Sequence, residues 1–221
     1  MTQQAKEPFR FFSRLSLSEL TGLKAWNLEQ LLTHLKEVPG SCIFHHTHRI
    51  LQQHLYLSPE PPNDFAYWVS NSLGDDSLAE ALASIDIVRF SSLRALRETL
   101  IETIEKHLVT NPQARQRFAT ENEAFHFIKS ISFVFPTSHT ASNLAELADA
   151  LKKTTIASIY FHMFESRLRL ERGGNDFSCW VEDALGEKTL AGKLNRLDPY
   201  TCTSEALRAN LVKLIEKSAA A

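Results

Sequence analysis

Residues 63 to 82, NDFAYWVSNSLGDDSLAEAL, return as residues 175 to 194, NDFSCWVEDALGEKTLAGKL, with ten identities in twenty ungapped positions. Unrelated segments of that length would share about one. Asn63, Asp64, Phe65, Trp68, Val69, Leu73, Gly74, Leu78, Ala79 and Leu82 thus have counterparts in Asn175, Asp176, Phe177, Trp180, Val181, Leu185, Gly186, Leu190, Ala191 and Leu194. Upstream, Phe9, Phe11, Ala25, Asn27, Leu28, Leu31, Leu35, Ile43 and His46 match Phe125, Phe127, Ala141, Asn143, Leu144, Leu147, Leu151, Ile159 and His162 at a single shift of 116, and downstream Leu96, Arg97, Leu100 and Ile104 match Leu207, Arg208, Leu211 and Ile215 at 111. An internal duplication of this length constrains the fold more than any local propensity, since both copies must bury equivalent faces. The expected division is one repeat unit at 1–108, a linker at 109–122 and a second unit at 123–221. Asn111 and Pro112 read as a cap and first-turn pair that opens a short helix in the linker.

Within each copy the apolar spacing is mostly three and four, which predicts helices. Leu28, Leu31, Leu32 and Leu35 follow Asn27, and Leu144, Leu147 and Leu151 follow Asn143; Gln30 and Glu146 complete the spacing of a capping box. A second helix is expected from about Ser41 to Leu57 and a third from the NDF block, capped by Asn63 or Asp64, with Phe65, Trp68, Val69 and Leu73 as its buried stripe and Gly74 at its left-handed end. A fourth holds Leu78, Ala79, Leu82 and Ile85, and a fifth follows Ser91 or Ser92. The openings of the copies differ from this pattern. Phe125, Phe127, Ile131, Phe133 and Phe135 alternate with a period of two up to Pro136, while FRFFSRLSLSEL fits helix and strand equally, so the pattern allows short strands at the start of each unit. The fold class expected is mostly α, two tandem helical units packed with pseudo-twofold symmetry.

With 221 residues, 43% of them apolar, the chain has enough material for a real core. A formal charge of −2 gives no basic field, which argues against nucleic acid as a partner. Three cysteines without metal-type spacing, no apolar leader and no stretch of about eighteen apolar residues lead us to expect a soluble, cytoplasmic protein without disulfides or membrane spans.

The segment CIFHHTHRILQQH carries His45, His46, His48 and His54. Neutral imidazole is the commonest metal ligand, but an ordinary helix splits these four rings between two faces. His46 returns as His162, whereas His45 and His48 become Phe161 and Phe164. A residue kept in both copies is explained most simply by what both copies do, which is fold, with the ring hydrogen-bonded to a partner from the NDF block. The sharper alternative is a pocket of His46, His48, His54, Asn63, Asp64 and Trp68, mirrored in part by His162, Asn175, Asp176 and Trp180, acting as ligands or as an acid/base set. Asp64 and Asp176 also suit helix starts, and Trp68 and Trp180 suit core anchors.

The combination SCIFHHTHR at 41–49, NDFAYWV at 63–69 and LAEALASID at 78–86 resembles a bacterial and archaeal family described only as domain of unknown function 5752. The likeness covers nearly the whole chain, and the family's motif positions correspond to His46, Thr47, His48, Asn63, Asp64, Phe65 and Trp68. The resemblance implies no particular activity; the association of some relatives with sugar-transferring enzymes implies an accessory role in carbohydrate metabolism. The second copy departs from the motif at His162, Met163 and Phe164, which argues against a symmetric pair of active sites.

The leading functional expectation is a non-catalytic helical scaffold or interaction module that offers a protein partner a groove between its halves. Alternatives are a metal- or acid/base-dependent enzyme centred on the histidines and Asp64, and a small-molecule sensor binding between the units. No metal or cofactor is assigned from the sequence, and substrate, partner and oligomeric state are left open by it.

Overall fold

The computed structural model describes residues 4–49, 63–166, 168, 174–197 and 202–220. The openings of the two copies form strands of 17 residues each, β1 (Phe9–Ala25) and β2 (Phe125–Ala141), which pair with one another in a two-stranded sheet. Cross-strand bonds from Thr21 Oγ1 to the Phe127 carbonyl and from Thr137 Oγ1 to the Phe11 carbonyl, with Ser16 opposite Ser132, fix an antiparallel register. Ser16 and Ser132 are also equivalent by the duplication, so each strand presents the same sequence positions to its partner.

The mostly α expectation with short strands at most is therefore corrected: the sheet is a substantial element. The reason lies in the range of the ladder. It joins residues more than 100 positions apart, as with Thr21 and Phe127, and no local window of FRFFSRLSLSEL carries that information. The alternation in β2 also continues through Pro136 to Ala141, because an edge strand can spare the amide that proline lacks.

After β1 the first copy runs through α1 (Leu28–Glu37), α2 (Gly40–Phe44) and a π-helical turn at His45–Arg49. It continues through α3 (Asp64–Asn71), α4 (Asp76–Ala83), a 3-10 turn at Ile87–Arg89 and α5 (Leu93–Thr110). The linker forms 3-10 turns at Pro112–Gln116 and Glu121–Glu123. After β2 come α6 (Leu144–Lys153), α7 (Ile156–Tyr160), a second π-helical turn at Phe161–Glu165, α8 (Asp176–Leu185), α9 (Lys188–Asn195) and α10 (Ser204–Ala219). The helix expected over Ser41–Leu57 is thus α-helical only to Phe44 before it widens, and its part beyond Arg49 lies outside the described residues. No described helix is long and apolar enough to cross a membrane.

Local chemistry accounts for the helix starts. Asn27 Oδ1 accepts from the Gln30 amide at 2.9 Å while Gln30 Oε1 reaches back to the Trp26 amide at 2.8 Å. Asn143, Glu146 and Ser142 repeat the arrangement at 2.9 and 2.7 Å.

Contacts divide the described residues into two units, each with its own core. One comprises Ser16 to Ser132 and is here called the first-copy unit; the other comprises residues up to Leu15 and from Phe133 onward, the second-copy unit. Each strand is cut near its middle by this division. Consequently Phe9 and Phe11, although they open the first copy, pack in the second-copy unit against His162 and Phe177, with ring centroids 5.0 to 5.9 Å apart. Phe125 and Phe127 pack reciprocally on His46 and Phe65 in the first-copy unit. All four phenylalanines are buried.

Candidate functional site

His46 sits in the first π turn, where the widened backbone brings its ring between α3 and β2. Its Nε2 accepts from the Ile128 amide at 2.9 Å, and its Nδ1 lies 2.7 Å from Asp64 Oδ2. A backbone N–H can only donate, so Nε2 carries a lone pair and the ring proton sits on Nδ1, donated to the carboxylate. His162 repeats the geometry: Nε2 accepts from the Phe12 amide at 2.8 Å and Nδ1 faces Asp176 Oδ2 at 2.6 Å. Phe12 and Ile128 are themselves equivalent by the duplication. Both rings are buried with both nitrogens engaged, so neither offers a lone pair to a metal or a substrate proton.

The rest of the motif is fastened in the same way. Asn63 is fully buried, caps α3 by accepting from the Ala66 amide at 2.9 Å, and donates to the Leu82 carbonyl at 3.1 Å. Asn175 does the same to Ser178 and Leu194 at 2.8 and 3.2 Å. The asparagine therefore caps, and the aspartate beside it, in the first turn, is released for the imidazole. Trp68 donates to the Glu123 carbonyl at 2.7 Å and Trp180 to that of Glu7 at 2.9 Å. Each tryptophan is thus bonded to the segment leading into the strand that the other copy supplies.

His48 points elsewhere. Its ring stacks on Phe44, at 5.5 Å and 9°, and its Nδ1 is 3.0 Å from Thr47 Oγ1, whose own proton goes to the Ile43 carbonyl at 2.6 Å. His54 lies outside the described residues. The structure thus brings together His46, Asn63, Asp64 and Trp68, and places His48 on a different side of the turn. Among the described residues no group of three His, Cys, Asp or Glu side chains is arranged to hold a metal ion. His45, which the repeat replaces by Phe161, is pushed down to about 4 by burial, with the neighbouring His46 and Arg49 contributing. Burial also raises the Cys42 thiol.

The second-copy dyad lines a cleft of about 580 Å³, with His162 and Asp176 on its wall beside Glu7, Arg10, Cys179 and Trp180. Tyr67 stands in the first copy where Cys179 stands in the second, and Trp68 is only 5% exposed while Trp180 is half-buried. Two features escaped the sequence: the π turns, and the buried ion pair of Arg14 with Glu165. The retention of His46 as His162 was the available signal for the first, because a π turn often serves to place one side chain.

A profile of the family of unknown function DUF5752 matches residues 6–216. Among solved structures, the chain is similar to OrfY from Thermoproteus tenax, at 31% identity and a TM-score of 0.84, with 99% of each chain covered. No curated protein matches the chain.

Proposed function

The chain belongs to the family of unknown function DUF5752, and from that premise we propose that it is a non-catalytic interaction module, its shared His-Asp pairs being structural braces. The observation that carries this reading is the double occupancy of both imidazoles by a carboxylate and a strand amide. A general base or metal ligand needs a free lone pair, and these rings keep none. The same bonds cover the strand edge at Phe12 and Ile128, with Ser158 Oγ donating to the Phe12 carbonyl at 2.6 Å. Edge strands left open are templates for association. Further along, the strands expose apolar side chains: Leu15 at 55% and Phe133 at 53% in the second-copy unit, and Leu17, Leu20 and Ile131 in the first-copy unit. A partner that offers an apolar strand or face suits them.

Calorimetric titration with zinc, manganese or iron(II) is expected to give no saturable heat. Saturable binding that His46→Gln and His162→Gln abolish, with helical circular dichroism intact, would refute the proposal. The partner side is checked with Leu15→Glu combined with Phe133→Glu, which should fold normally and lose the proteins that co-purify with the wild-type chain.

A further inference from the structure

The two copies differ in one buried charge. In the second-copy unit Glu165, the last residue of its π turn, is 2% exposed and ion-paired with Arg14 of β1. At the shift of 116 the same two positions in the first-copy unit hold Arg49 and Ser130. The π turn has exchanged its carboxylate for a guanidinium, and the strand has exchanged its guanidinium for a hydroxyl. A cation remains at this place and its internal anion is gone.

The atoms left behind are those an anion would use. Arg49 Nη1, Ser130 Oγ and His45 Nδ1 are buried and have no hydrogen-bond partner among the described residues. His45 and Arg49 are the first and last residues of the same π turn, and Ser130 lies two residues beyond Ile128 of β2, whose amide binds His46 of that turn. Buried charged donors left unmet are among the most unfavourable groups a fold can carry, which is why each one in a native structure calls for an acceptor. Of the acidic groups nearby, Asp64 holds His46, Glu19 holds Lys129 at 2.9 Å, and Asp86, at the head of the turn that packs on this π turn, holds Arg89 at 2.7 Å through Oδ2 while its Oδ1 is buried without a hydrogen-bond partner among the described residues. Lys129 and Arg97 add positive potential around the adjoining Cys42. A guanidinium, a hydroxyl and an imidazole nitrogen on separate elements match the several acceptor oxygens of a tetrahedral group better than the two of a flat carboxylate.

We propose that the first-copy unit binds a tetrahedral oxyanion, a phosphate or sulfate group, between Arg49 and His45 of the π turn and Ser130 of β2. The second-copy unit needs none, because Glu165 supplies the charge from within.

Thermal unfolding of the full chain in phosphate, sulfate or glycerol phosphate, each against chloride at equal ionic strength, tests this. The wild-type midpoint should rise by about 3 °C or more at saturating anion. A response to inorganic phosphate shows that the free group suffices; a response to the ester alone assigns the site to the phosphate end of a larger molecule. The variant R49E with S130R installs the second copy's own ion pair. It should unfold no earlier than wild type in chloride and lose the anion response. Absence of any anion-specific shift in the wild-type chain, or an undiminished shift in the paired variant, overturns the proposal.

Discussion

His46 and His162 tie three segments together through one ring each: the π turn that carries it, the aspartate of the next helix, and a strand amide from the other copy. Removing the ring leaves a carboxylate and an amide without partners, and such losses cost about 1–3 kcal/mol each. His46→Ala should therefore lower stability by about 2–5 kcal/mol in urea unfolding, and a change below about 1 kcal/mol would mean the ring is not a brace. His45 makes a different contribution. Burial holds it at about 4 in the folded protein against its ordinary 6.5, so between those values the unfolded chain binds the proton and the folded chain does not. Stability should decline as pH falls from about 6.5 toward 4 and be level above. His45→Phe, which installs the residue found in the second copy, should flatten that decline in urea midpoints measured across the range. The pairing of His46 with the NDF block was legible in the sequence because the duplication kept both partners; the exclusion of His48 was not, since it follows from the π turn.

At the scale of elements, the NDF helices begin on asparagines that also reach the following helix, at Leu82 and Leu194. Asn63→Ala removes the cap, worth about 1 kcal/mol, and strips the buried Leu82 carbonyl of its donor, so a loss of about 2–3 kcal/mol is expected in denaturant unfolding. Gly186 ends α8 at φ +70 with no atom within 4 Å of where a Cβ would lie. Gly186→Ala should then cost only the left-handed backbone, about 1 kcal/mol. At Gly74, φ +62, a Cβ would also meet Arg117 Nη1 at 3.4 Å. These caps and glycines were readable because they depend on residues within one turn. The length of β1 was not, because Leu15, Leu17 and Leu20 satisfy helical and extended spacing alike, and only pairing with β2 selects between them.

At the scale of the molecule, the copy defined by homology and the unit defined by contacts are not the same stretch of chain. The first-copy helices receive Phe125, Phe127, the Ile128 amide and the Glu123 carbonyl from residues around the start of β2. Residues 1–122 expressed alone lack the phenylalanines, the amide and the partner strand, and should be unfolded by circular dichroism wherever they are monomeric. Adding residues 123–221 should restore the helical signal. A stable, folded monomer of 1–122 would contradict the exchange. What the sequence determined by itself is the duplication, the helices with their caps, and the family, since all of these reside in residues close along the chain or in plain identity between copies. Only the tertiary structure decided that the openings are long paired strands, that each strand serves both units, and that both ring nitrogens of His46 and of His162 are taken up by bonds. Hydrogen bonds between residues more than 80 positions apart make those choices, and no short-range pattern encodes which distant amide a ring nitrogen will meet.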